Sequence, residues 1–307
     1  MCFGYIISET HNLFVACIYF ELVPALLPPY NSYMTILSDH LILIRGGGDL
    51  ASGVAWRLHR AGLQMLITEQ PQPLAVRRLV SFCEAVYRDA ITVEGVTARR
   101  AETLDQALSV LHAGQIPVLV DPQLVLCADL KPLALIDARM TKRPPKNGAM
   151  DAASLTIGLG PGFVAGENCH VAIETNRGHF LGRTIWQGAT QTDTGIPGAV
   201  ASRQSERVLR APADGIFHPR IAIGERVARG QVIAEVEGQP INAVFDGILR
   251  GLLHAELPVT RGLKVGDLDP RLDPRYARTI SEKSLAIGGG VIEALLTRPE
   301  IRTRLWN

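Results

Sequence analysis

The chain has 307 residues, 47% of them apolar and 20% charged, which is enough to build two hydrophobic cores and too apolar for a disordered chain. Its formal net charge is +1, so no basic excess favours a nucleic-acid polymer as partner, and a small ligand is the better expectation. Cys2, Cys17, Cys83, Cys127 and Cys169 are odd in number and far apart, with no CxxC pair; this excludes a disulfide framework and suits a reducing cytoplasm.

In chain order, residues 1–38 come first as an extension. Their apolar run from Leu13 to Pro28 is broken by Glu21 and Pro24, and no Lys or Arg precedes it, so it predicts neither a membrane span nor a signal peptide. The first regular pattern starts at Leu41, and Met34 reads as the natural start, leaving the extension disordered or a start-site artefact. From Leu41 to about Val120, apolar strand runs alternate with helix-period segments, the signature of an α/β, Rossmann-like, mostly parallel sheet over 39–206. LILI is a buried strand, and the helix after it puts Leu50, Val54, Leu58 and Ala61 on one face before Gly62 ends it. QMLIT is a second strand closing at Glu69, and the stretch that follows, carrying Arg77 and Arg78, is read as helical. Thr103 and Gln106 form a capping box ahead of Leu104, Ala107, Leu108 and Leu111; IPVLV and LALID are further strands. The glycine-rich part from Ala153 to Ile196, with HVAIET and FLGRTIW, forms the far edge.

A second unit, 207–270, repeats itself at a shift of 32 residues: Ala211, Asp214, Gly215, Ile216, Val227, Arg229 and Gly230 align with Ala243, Asp246, Gly247, Ile248, Val259, Arg261 and Gly262. This predicts an all-β sandwich built by pseudo-twofold duplication, followed by a helical segment, 271–307, that packs back on the first domain. Gly288 to Gly290 allow close helix packing or a kink there.

Gly46, Gly48 and Ala51 satisfy G-x-G-x-x-A directly after a strand and before a helix. The first glycine permits the tight turn, the second lets a pyrophosphate approach bare backbone, and the small third residue lets helix and strand pack closely. Main-chain amides from Arg45 through Gly47 to Ser52 are therefore expected to be open to a diphosphate, with Glu69, 23 residues after Gly46, as the ribose-binding acid. Asp49 at the helix mouth complements the dipole but repels phosphate, so a cap role stays open. Arg77 could face a bound phosphate. Asp137, Arg139, Lys142 and Arg143 follow the carboxyl end of a strand, where open α/β sheets place ligands. Lys142, Glu174 and His179 are the acid–base candidates, with Arg177 beside the last two. Cys169, His170 and His179 fit no metal-ligand spacing, and the acidic turn around Asp267 and Asp269 reads as a turn before a metal site, so no metal is expected.

Two resemblances add to this. Residues 208–266 resemble the barrel-sandwich hybrid of biotinyl and lipoyl domains, but the turn EVEGQPINA carries no lysine, which argues against biotin or lipoate and for a docking or dimerisation module. IRGGGDLASGVAWRLHRAG, LAVRRLVSF, TVEGVTA, DARMTKRPP, IGLGPGF, AIETNRGHFLGR, TGIPG, RVLRAPADG, GLKVGDLDPR and SEKSLAIGGGVIEALL resemble the YqeB family across nearly everything after about residue 40. That resemblance implies an accessory or maturation factor of the selenium-dependent molybdenum hydroxylase system, of the xanthine dehydrogenase type. Its implied ligand is a nucleotide or a molybdenum-cofactor dinucleotide, such as molybdopterin cytosine dinucleotide, and its implied partner an apo molybdenum hydroxylase. The alternative is an NAD(P)-dependent oxidoreductase using Lys142, Glu174 or His179; whether the chain catalyses a step, and whether it forms a homo-oligomer, stay open.

Overall fold

Leu41, Ile42, Leu43 and Ile44 offer no side-chain polar group to water, and the run forms the buried β1 (Ile42–Arg45) at the centre of a nine-stranded sheet. The computed structural model describes residues 40–125, 130–143, 150–193 and 205–306. The 1–38 extension with Met34, Cys2 and Cys17, as well as Cys127 and the TGIPG motif, lies outside the described residues. Among the described residues no helix is long and apolar enough to cross a membrane.

The next strands are β2 (Met65–Glu69), β3 (Ala90–Val93), β4 (Val96–Ala101), β5 (Ile116–Val120), β6 (Ala134–Asp137), β7 (Leu155–Leu159), β8 (Val164–Ala165), β9 (Val171–Ile173), β10 (Thr184–Ile185) and β11 (Gly188–Ala189). The large sheet runs β10-β9-β7-β6-β1-β2-β5-β4-β3, parallel throughout except for the pairs at its two edges. From β1 the chain passes to β2, goes to the outer edge at β3, returns inward through β4 to β5 beside β2, and restarts at β6 on the other side of β1. This reversal of strand order leaves a crevice at the carboxyl ends of β1 and β6, where two successive connections diverge. The antiparallel edge β3–β4 turns through Glu94 and Gly95, both at positive φ (44° and 82°).

Helix α1 (Asp49–Arg60) joins β1 to β2 and buries Ala51, Val54, Ala55 and Leu58. The stripe sits one position away from the expected one at its ends: Leu50 is only half-buried, and Ala61 is the exposed C-cap. Helix α2 (Leu104–His112) starts at Thr103, whose Oγ1 accepts the Gln106 N–H at 3.2 Å. Helix α3 (Glu282–Thr297), capped by Ser281, lies against α1, and a Cβ on Gly53 would stand 2.4 Å from the Cβ of Ser284. Glycine is required at position 53 for that approach.

A second apolar cluster, centred on Phe217, Leu249, Val265 and Leu268, lies between two four-stranded antiparallel sheets. Their strands are β12 (Val208–Arg210), β13 (Gly215–Pro219), β14 (Arg226–Val227), β15 (Val232–Val236), β16 (Gln239–Asn242), β17 (Gly247–Leu252), β18 (Pro258–Val259) and β19 (Lys264–Asp269). The 32-residue repeat is visible in the pairing. Gly215 pairs with Val259 and Gly247 pairs with Val227, so exchanging the two copies maps one ladder onto the other. The same exchange relates Asp214 Oδ1, accepting the Arg261 N–H at 2.7 Å, to Asp246 Oδ1, accepting the Arg229 N–H at 2.7 Å. The protein is thus mixed α/β, with one large sheet and separate antiparallel sheets.

Candidate functional site

The glycine loop is built by what presses on it. A Cβ on Gly46 would meet Arg139 Cα at 3.3 Å, and one on Gly47 would meet the Cys83 nitrogen at 2.9 Å, whereas one on Gly48 would meet nothing within 4 Å. Gly46 also turns at φ +89°, a conformation that glycine adopts without steric penalty. The side of the loop at Gly48 thus has room that the other two positions lack.

Main-chain hydrogen bonding corrects the expectation of a fully open loop. The Gly46 N–H donates to the Thr68 carbonyl at 2.7 Å and the Gly47 N–H to Glu69 Oε2 at 2.7 Å. Ser52 Oγ donates to the Gly47 carbonyl and accepts the Phe82 N–H, and the side chain is wholly buried. Gly46, Gly47 and Ser52 are therefore committed to protein partners. The first bond within α1 runs from the Ser52 N–H to the Gly48 carbonyl, which leaves the amides of Asp49, Leu50 and Ala51 ahead of the helical ladder, and no side chain caps them.

Glu69 lies at the end of β2 as expected, but its two oxygens hold the Gly47 and Gln70 amides, so it braces the loop. Burial pushes its carboxyl up while those two backbone hydrogen bonds pull it down, with burial the stronger. Asp49 is not a side-chain cap. Arg77 forks its carboxylate at 2.9 and 3.0 Å and donates from Nη2 to the carbonyls of Tyr276 and Thr279. Arg77 is 6% exposed, and it sits ahead of short 3₁₀ turns, Arg78–Val80 and Phe82–Glu84, where a helix was expected. Asp49 is thereby balanced by a fixed cation instead of repelling an anion unopposed.

At the opposite side of the crevice, Asp137 is self-paired with Arg139 through Nε at 2.9 Å and Nη2 at 2.5 Å. That hydrogen bonding raises the Arg139 guanidinium above its usual value. Arg45 donates to the Pro122 carbonyl at 3.1 Å, and burial together with nearby Arg139 lowers it. A cleft of about 360 Å³ opens here, walled by Gly46, Gly48, Glu69, Leu74, Arg139 and Met140.

A second cleft, of about 420 Å³, shares Asp49, Leu50 and Met140 with the first. Eight Lys and Arg side chains line it against three carboxylates. Lys142 and Arg177 are among them, Lys142 with its Nζ 3.0 Å from Asp193 and Arg177 bonded to Glu282. Glu174 and His179, candidates only if they share a crevice with these groups, do not line it. Glu174 is buried and accepts the amides of Asn176 at 2.6 Å and Gln191 at 2.7 Å, and His179 lies against the edge of Phe180 outside both clefts. Cys169 is likewise buried, its thiol pushed up to about 11, and its neighbour His170 accepts the Thr156 N–H.

Arg207, Arg250, Lys264 and Lys283 also line this cleft, and none of them stood out in the sequence because they come from separate segments. A signal was nonetheless available. At a 32-residue shift, Arg250 aligns with His218 and Lys264 with Val232, so the second copy carries charge where the first does not.

No protein-family model matches the chain. It is 46% identical over 256 residues to the uncharacterized protein YqeB of Escherichia coli (strain K12), a match taking in 83% of this chain and 47% of that protein, so the chain spans about half the length of the curated relative it matches. Among solved structures it is similar to an aspartoacylase family protein from Mesorhizobium loti, 14% identical over 74% of this chain and 84% of the other, TM-score 0.25. It is similar also to the ectoine utilization protein EutE (DoeB) from Ruegeria pomeroyi, 22% identical over 27% of each chain, TM-score 0.20. Scores this low carry nothing about fold or activity.

Proposed function

We propose, on the premise that the matched 256 residues of the chain belong to the YqeB family, that this protein is an accessory factor that binds a phosphate-bearing nucleotide. The observation that carries the reading is the adjacency of the two clefts. The crevice at the strand-order reversal, with its uncapped helical turn, shares Asp49, Leu50 and Met140 with a cleft dominated by cations.

A dinucleotide fits these residues in one respect and not in another. The amides of Asp49 to Ala51 and the neighbouring cations suit phosphate oxygens, while the committed amides of Gly46 and Gly47 do not. The Rossmann-like reading therefore rests on strand order and on the loop's position, with a displaced phosphate. Following the resemblance, the ligand is molybdopterin cytosine dinucleotide or a related nucleotide. The setting is a cytoplasmic maturation step on an apo molybdenum hydroxylase, docked through the duplicated β unit.

The oxidoreductase alternative has less support. It needs an acid or base beside the reacting carbon, and of Lys142, Glu174 and His179 only Lys142 lines a cleft. Mass spectrometry of protein purified anaerobically under native conditions tests the choice. A co-purifying pterin or cytidine nucleotide is expected, and NAD(P) alone in its place would overturn the maturation reading.

A further inference from the structure

The cationic cleft has more charge than its own carboxylates balance. Asp267, 1% exposed, is shared by three cations: Arg207 Nη1 at 2.6 Å, Arg250 Nη1 at 3.6 Å and Lys264 Nζ at 3.7 Å. Only the first is within hydrogen-bond reach. The Nε of Arg207, a side chain buried to more than nine-tenths, has no acceptor, and among the described residues no hydrogen bond or ion pair reaches Lys283. Burying unmatched cations is unfavourable, and a group that stays charged in such a place is stabilised by any anion that enters.

The duplicated unit shows that its fold does not need these charges. The first copy places His218, Val232 and Glu235 where the second places Arg250, Lys264 and Asp267. On that first face His218 is half-exposed and bonded to Glu256, and Val232 is exposed; the copies pair alike at Gly215–Val259 and Gly247–Val227, while the β17–β19 ladder carries a bulge at Arg250 that β13–β15 lacks. The cationic wall is thus an addition to one of two equivalent faces, the one turned toward α1.

We propose that this cleft is an oligophosphate site, in which Arg207, Arg250, Lys264 and Lys283 hold the di- or triphosphate end of a ligand whose nucleoside lies in the adjoining glycine-loop cleft. The placement rests on the nucleotide reading for the nucleoside alone; the anion site stands on its own geometry. It also accounts for the loop: phosphates held here have no need of the amides of Gly46 and Gly47, which Thr68 and Glu69 occupy. Burial and the nearby guanidinium of Arg207 lower the Lys264 ammonium, and burial and Arg177 lower that of Lys283, as expected of cations waiting for a counter-charge.

The test is calorimetric titration of the full chain with sodium tripolyphosphate at low ionic strength, together with Lys264→Met and Lys283→Met. Both lysines are partly exposed, so the variants are expected to fold, as checked by an unchanged Tm. Saturable 1:1 binding is expected, about tenfold weaker in each variant and unchanged in Arg220→Met on the equivalent face of the first copy. Absence of saturable binding, or equal binding by all three variants, would overturn the site. Tripolyphosphate binding without CTP binding would leave the site standing and remove the nucleotide reading. CTP binding that is indifferent to both lysine variants would do the reverse.

Discussion

Arg77 closes a fork on the carboxylate of Asp49, 28 positions before it, with both oxygens taken by one guanidinium nitrogen at 2.9 and 3.0 Å. Its other terminal nitrogen holds two carbonyls just ahead of α3, so one buried side chain ties the start of α1 to the segment leading into α3. Arg77→Met removes this donor from Asp49, which keeps the Ser284 hydroxyl at 3.2 Å, from the Tyr276 carbonyl, which keeps Arg250 Nε at 3.3 Å, and from the Thr279 carbonyl, and is expected to cost about 3 kcal/mol. Asp49→Asn should recover part of that loss in the double variant, as read from urea denaturation. Strictly additive costs would mean that the two residues are not coupled.

Gly48 is the N-cap of α1, with open space beside it. Aspartate is a good N-cap, so Gly48→Asp should leave stability within a few tenths of a kcal/mol or raise it slightly. The new carboxylate would occupy the free amides and repel phosphate, so nucleotide affinity should fall by about tenfold or more. An unchanged Kd alongside an unchanged Tm would show that the first turn of α1 does not meet the ligand.

The two copies of the β unit should respond alike where they are alike. Asp214→Ala and Asp246→Ala each remove one side-chain acceptor from a backbone amide and are expected to cost about 1 kcal/mol apiece. Chemical denaturation should give values within about 0.5 kcal/mol of each other. A several-fold difference would mean that the shared ladder does not carry equal load.

Asp269 supplies a pH dependence with a definite sign. Burial alone would raise its carboxyl, but hydrogen bonds and charge from Arg271, with Arg250 nearby, outweigh this and hold it below the usual aspartate range. In the window beneath the ordinary value the unfolded chain binds more protons, so stability rises with pH there and is lost as pH falls through the folded value. Asp269→Asn should flatten that part of the stability profile. An acid limb of the same slope in the variant would assign the effect to other carboxylates.

What was legible in the sequence was local or periodic. The Thr103 cap, the β1-to-α1 turn and the 32-residue repeat depend on neighbours or on self-comparison, and the structure has them at those residues. The stretch at Arg77 was misjudged because its conformation answers to Asp49 and to the β unit, through the Leu252 N–H bonded to the Val76 carbonyl, and not to its own periodicity. Glu69 was found but its role was not, since a carboxylate at a strand end serves a ribose or a backbone amide equally well on paper. The cationic cleft was missed because long-range packing assembles it. Only the mismatch of Arg250 with His218 and of Lys264 with Val232 hinted at it.

The central claim, that the adjoining clefts receive a phosphate-bearing nucleotide, is tested most directly by titrating the full chain with CTP and with NADH at low ionic strength. One saturable CTP site whose affinity drops in both Gly48→Asp and Lys264→Met is the expected result. Tight NADH binding with no heat from CTP, or CTP binding that neither substitution disturbs, would contradict it.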